Sequence, residues 1–264
     1  LIPWLGSGFR ALGAATIAGR EEDAALPFDK RRSGMILGAG AIGIVLETEA
    51  AVARRFAERQ GLMLGPSSVV ASSSTTTTGS SGRSASETLQ ELSSSLQVRL
   101  IDTQYSNSAY HGAALDKDHI AQELERFLCA IQRKFGITRD TIAREGCYLS
   151  HETMTHASDA SSCAANEVFA LRKCFGDAGM EQLILLNTKG YTGHPMGVSF
   201  EDVAAVEILR NGVIPPIANF NQDTVDPYLG KVRLGLGSDN TDGAYKAKYA
   251  LRFAAGFGSQ VAFA

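Results

Sequence analysis

The sequence has 264 residues, 44% of them hydrophobic and 20% charged, with a formal net charge of -3 at pH 7. This is globular composition, enough for one large or two small domains, and lies well away from the disordered and membrane classes. The near-neutral balance argues against nucleic acid and against an anionic membrane surface as partners.

The chain opens on LIPWLGSGFR, with no initiator Met and no signal-peptide layout, so it is expected to start inside a longer protein. Residues 35–46, MILGAGAIGIVL, form a glycine-punctuated apolar run that predicts a buried strand. ETEAAVARRFAERQG then predicts a short helix ending near Gly61. From Ser67 to Ser95 the composition turns to serine and threonine, which bury too little apolar surface to offset their ordering entropy. A flexible insertion over 65–96 is expected, between an N-terminal part at 1–64 and a C-terminal part at 97–264.

After it, LQVRLIDTQY reads as extended. DHIAQELERFLCAIQRKFG places Ile120, Leu124, Phe127, Leu128, Ile131 and Phe135 on one helical face that ends at Gly136. CYLSHE is a short strand, and ANEVFALRKCFG a helix with Val168, Leu171 and Phe175 on its apolar side. LILLNTKG is an apolar strand entering a glycine-rich loop, and FEDVAAVEILRNG a further helix with Ser199 and Asp202 as a capping pair. KYALRFAAGFGSQVAFA reads as two strands around a glycine turn. Strands alternating with helices predict an α/β domain with helix-covered sheets.

Cys129, Cys147, Cys163 and Cys174 form no C-x-x-C pair and have no zinc-ligand spacing, so reduced thiols in a cytoplasmic protein without a metal are expected. Two of the five histidines close strands: His151 opens HETMT after CYLS, and His194 closes KGYTGH after LILLN. Strand ends are where α/β folds place active groups. Imidazoles and an ammonium held there can stabilise a developing oxyanion. HETMTH is not a zinc helix, because His151 and His156 are five residues apart instead of four.

Six segments, in order, resemble those of β-ketoacyl synthases. LPFDKRRSGMILGAGAIGIVLE is similar to their PFD-x-x-x-x-G-x-x-x-G-E-G segment, HETMT to H-G-T-G-T, and NEVFAL to E-x-x-A-L. KGYTGH is similar to K-S-N-I-G-H, DVAAVEILRNGVIPPIANF to the helix and I-P-P turn that follow it, and GFGS at 256–259 to the terminal G-F-G-G loop. The resemblance covers nearly everything except the serine-rich stretch, and explains GAGAIG at 38–43 better than a dinucleotide loop does. It implies an α/β, thiolase-like layered α-β-α-β-α fold and decarboxylative condensation of an acyl thioester with malonyl carried on acyl carrier protein. The phosphopantetheine-bound acyl and malonyl groups would be its substrates, with no cofactor and with a homodimer as the assembly. His151 and His194 would be the catalytic histidines, with Lys189 as the positioning cation. Thr153, Thr155, Glu167, Phe257 and Gly258 would lie at the substrate site, Glu167 holding Lys189 and Phe257 gating the acyl pocket. The nucleophilic cysteine of such enzymes would lie upstream of residue 1; Cys163, which follows His151, reads as a structural thiol.

The sequence also departs from the family pattern. Glu152 and Met154 replace both glycines of H-G-T-G-T, Ala39 replaces the glutamate of G-E-G, Ser33 an aspartate, and Ser259 the last glycine of G-F-G-G. The stretch between HETMT and NEVFAL is about five residues longer than the family spacing. A non-catalytic partner that shapes chain length is the alternative reading, and a plain thiolase a weaker third.

Overall fold

The computed structural model describes residues 3–59, 98–157, 162–237 and 245–264. The serine- and threonine-rich segment, with the whole insertion expected over 65–96, therefore lies outside the described residues. Two compact units are present: Leu1–Ile42 together with Leu100–Ala264, and Gly43–Arg99.

The larger unit carries a six-stranded mixed sheet. Its helices are α1 (Pro3–Ala11) and α2 (Glu21–Ala24), then α4 (Lys117–Phe135), α5 (Arg139–Glu145), α6 (Cys163–Met180), the single turn α7 (Lys189–Thr192) and α8 (Phe200–Asn211); α3 (Glu49–Arg59) belongs to the smaller unit. The strands are β1 (Gln104–Asn107), β2 (Gly146–Leu149), β3 (Ile184–Leu186), β4 (Arg233–Leu234), β5 (Tyr249–Gly256) and β6 (Gln260–Phe263). They lie in the order β1-β6-β5-β2-β3-β4. The strands β5, β2, β3 and β4 run parallel, and β6 turns back antiparallel on β5 and β1.

Period-two alternation in β2 and β3 serves two cores at once. Tyr148 and Leu185 face one, with Leu124, Leu128, Val168 and Leu171 of α4 and α6. Cys147, Leu149, Ile184 and Leu186 face the other, with Ile208 of α8. Both central strands are thus buried on both sides, as the apolar run LILLN foretells. The chain builds one α-β-α sandwich, with helices on both faces of the sheet.

The helix at 117–135 forms as its periodicity predicts, and Asp116 caps it by accepting from the amides of Asp118 and His119. Phe135 differs from expectation: it is exposed, as the last residue of the helix before the Gly136 cap. Ser199 does precede α8 but makes no capping bond, its hydroxyl being taken up by Arg252 instead. The largest correction concerns 35–46. This run is not a strand but an extended segment with two isolated bridges, Ala15 to Met35 and Leu37 to His194. Its far end is solvent-facing, with Val45 90% exposed. Apolar residues alone do not make a strand; a neighbouring backbone must accept the ladder, and loops offer single contacts only. The G-x-G-x-x-G spacing within it neither follows a strand nor opens a helix, which removes a dinucleotide loop.

Candidate active site

Parallel pairing brings the C-terminal ends of β2 and β3 to the level of Arg252, midway along β5, with Leu149 opposite both Leu186 and Arg252. His151 follows β2 by two residues, and Lys189 follows β3 by three. His194 comes one helical turn later. Its backbone is fixed against the extended 35–38 segment: its amide donates to the Ile36 carbonyl at 2.7 Å, and the Gly38 amide donates to its carbonyl at 3.1 Å. A Cβ on Gly38 would sit 2.4 Å from the Thr192 carbonyl oxygen, and one on Gly193 2.7 Å from the Gly38 nitrogen. Gly193 also has φ +65°. Two backbones touch here, so both glycines are required.

The two imidazoles meet edge to face, ring centroids 5.2 Å apart and planes at 86°. Phe253 of β5 closes the other side of His151 at 6.2 Å. Burial, then the charge of Lys189, pushes His194 down to about 4 and His151 well below the ordinary histidine range. Both rings are therefore neutral at pH 7. Each Nδ1 is buried without a hydrogen-bond partner among the described residues.

Lys189 is buried, and burial pulls its ammonium pKa down while Glu201 supports the charge. Glu201, from the first turn of α8, is its ion-pair partner. Arg252 joins the cluster, 3.4 Å from Glu201 and 3.2 Å from Asp202. The carboxylate expected to hold Lys189 was Glu167. Instead Glu167 turns toward the other histidine, accepting from the His151 amide at 3.0 Å, the Tyr148 hydroxyl at 2.8 Å and the Cys163 thiol at 3.2 Å. Its position on α6 faces β2, whereas Glu201 faces the loop after β3.

Thr153 is buried and Thr155 half-buried on the same loop as His151. Phe257 lies at the tip of the β5–β6 hairpin, 52% exposed, its ring stacked on Phe9 at 6.1 Å. Gly258 has φ +82° and donates its amide to Gly112. Ser259, at φ +59°, donates its hydroxyl to His111 and Ala114 carbonyls and accepts from the His111 amide.

Sequence reasoning missed Glu201, Arg252 and a buried triad behind His151. In that triad Arg32 lies 3.2 Å from Glu152 and 2.6 Å from Asp226, all three fully buried. Only the adjacent acidic pair in FEDVAAVEILRNG hinted at Glu201; nothing local marked Arg32 as the partner of Glu152.

No family model matches the chain. In sequence it is similar to 3-oxoacyl-[acyl-carrier-protein] synthase 2 of Vibrio cholerae, 26% identical over 220 residues that make up 81% of this chain and 42% of that protein. The chain thus spans less than half the length of the curated relatives it matches. In structure it superposes along its whole length on a chain from a type II polyketide synthase complex of acyl-carrier protein with its ketosynthase (TM-score 0.67, 19% identity, 52% of that chain). The chain has the ketosynthase fold. The noncanonical ketosynthase FabY of P. aeruginosa agrees, with TM-score 0.67 and 15% identity over 99% of this chain and 36% of that one. In this chain the loops HETMT and KGYTGH bring His151 and His194 together, and the resemblance read from six short motifs extends to the fold. Among the described residues no helix is long and apolar enough to cross a membrane.

Proposed function

We propose that the protein carrying this chain is a β-ketoacyl-acyl carrier protein synthase, and that this chain supplies the half of its active site that generates the nucleophile. One observation carries the reading: two neutral imidazoles 5.2 Å apart, beside a buried ammonium, at the C-terminal ends of parallel strands. Neutral imidazoles donate hydrogen bonds without being spent as acids. Both Nδ1 atoms are enclosed, so Nε2–H of His151 and His194 is assigned to the carbonyl oxygen of a malonyl thioester. Breaking the bond to the carboxylate releases carbon dioxide and leaves its electron pair as an enolate, whose oxygen these two donors stabilise. Lys189 adds positive charge at the same wall. The enolate carbon then attacks an acyl group on a cysteine thioester, forming the carbon–carbon bond and expelling the thiolate.

That cysteine is expected outside residues 1–264. Cys163 is a poor candidate for it: burial pushes its thiol well above the ordinary range, and the thiol is held by Glu167. Phe257 and Gly258 are assigned to the acyl side of the pocket, and Thr153 and Thr155 to the phosphopantetheine-borne malonyl group, with acyl carrier protein as the delivering partner. A homodimer in the cytoplasm completes the proposal.

A second reading draws on neighbours described as a ketosynthase with its chain length factor, one from Xenorhabdus doucetiae at TM-score 0.53 and 14% identity. A partner subunit without catalysis has no need of two neutral histidines and a buried lysine, so the first reading is favoured. The test is malonyl-dependent condensation by the intact protein. His151→Ala and His194→Ala should each lower kcat by about 100-fold or more, the usual cost of one oxyanion donor. Near-full activity in either variant removes the assignment.

A further inference from the structure

Where ketosynthases carry glycines in H-G-T-G-T, this chain places a carboxylate and a thioether in the interior. We infer that Glu152 is a positioning residue for His151, its carboxylate clamping by contacts a loop that the glycine motif shapes by backbone freedom. The inference rests on the proposed role of His151.

The contacts of residue 152 reach four segments. One carboxylate oxygen accepts from the Met154 amide at 3.0 Å and faces the Arg32 guanidinium at 3.2 Å. The other accepts from the Ala164 amide at 2.9 Å, in the first turn of α6. The Glu152 carbonyl accepts from the Asn187 side chain at 2.8 Å, and Asn187 stands two residues before Lys189. Its own amide donates to the Ser150 hydroxyl at 2.9 Å. Arg32 is anchored in turn by Asp226 and by the Asp29 carbonyl at 2.8 Å.

These bonds bracket the catalytic ring. On one side the His151 amide is tied to Glu167; on the other, residue 152 is locked to α6, to the end of β3 and to Arg32. The carboxylate also holds Met154 in its left-handed backbone, φ +60°, and Met154 passes the constraint on by accepting from the Gly34 amide at 2.9 Å. Burial lifts the Glu152 carboxyl to about 7, Arg32 opposing and Glu167 reinforcing the shift. One guanidinium faces two carboxylates here, so a group with no other task would be an expensive choice for an interior.

The experiment uses the intact protein with Glu152→Ala and Glu152→Gln, read by kcat, KM for the malonyl thioester, and the imidazole NMR signals of His151. Displacing a catalytic group by about 1 Å costs on the order of 100-fold. Expected for Glu152→Ala is a 10- to 100-fold fall in kcat, KM within about threefold, and shifted His151 signals; Glu152→Gln, which keeps one acceptor, should recover part of the rate. A lowered melting temperature with kcat within twofold and unmoved His151 signals overturns the inference. Should Glu152→Ala not fold, Glu152→Gln decides by the same two readouts. Should the unaltered protein not condense malonyl groups, the proposed function fails, and the His151 signals alone decide whether Glu152 positions that ring.

Discussion

The two histidine loops of this molecule solve one problem in opposite ways. The loop to His194 keeps its glycine, because Gly193 and Gly38 press backbone on backbone, with no side chain able to yield. The loop to His151 has lost both glycines and holds its shape through a buried carboxylate, a guanidinium and a methionine at positive φ. A left-handed residue can carry a side chain where the interior has a slot for it, but not where, as at Gly193, the backbone of Gly38 occupies the place of the Cβ. Each loop also has its own acid: Glu201 sustains Lys189 beside His194, and Glu167 ties down the His151 amide.

Breaking the comparison at its strongest point means removing Glu201. Glu201→Ala leaves the buried ammonium of Lys189 and the Arg252 guanidinium without that partner, and should cost about 3–5 kcal/mol in urea denaturation of the intact protein. Next comes Gly193→Ala, which adds a clash with the Gly38 backbone to an unfavourable φ; a loss of about 3 kcal/mol is expected, with kcat falling alongside it. Met154→Gly sharpens the contrast from the other side. It relieves about 1 kcal/mol of left-handed strain but empties a buried side chain, so the net loss should be about 1–2 kcal/mol.

The shared feature of both loops is neutral imidazole, and pH tests it. His194 titrates near 4 in the fold, below its ordinary value of 6.5. The fold thus favours its neutral form, and that contribution is complete above pH 6.5 and lost as pH falls through about 4. On the order of 2 kcal/mol should disappear over this window, with allowance for partial exposure. Imidazole NMR should show His194 uncharged at pH 6, and a midpoint near 6.5 would refute this. The smallest effect is expected from Cys163→Ala. It removes one thiol bond to Glu167, costing about 1 kcal/mol, and should leave kcat within about twofold; abolished condensation would make this thiol the nucleophile after all.

Much of this was legible in the chain. The helix at 117–135 follows from its apolar spacing, and the β5–β6 hairpin from AAGFGSQ between apolar runs. His151, His194 and Lys189 stand out because short strands end directly before them. The strand expected over 35–46 does not form, since among the described residues its neighbours offer single bridges and no ladder. The partner of Lys189 was misassigned for a related reason: two helices each present a buried glutamate, and which strand end each faces is set by the packing of α6 and α8 on opposite faces of the sheet.

By itself, then, the sequence determined what is local: helical periodicity, strand ends, and histidines in glycine-bearing loops, each encoded within about ten neighbouring residues. The tertiary structure alone decided what is paired across the chain, namely Arg32 with Glu152, Lys189 with Glu201, and Gly38 against Gly193. Charges buried together and backbones in contact can lie far apart in the sequence, as Arg32 and Asp226 or Gly38 and Gly193 do, and only the closed sheet brings them within reach.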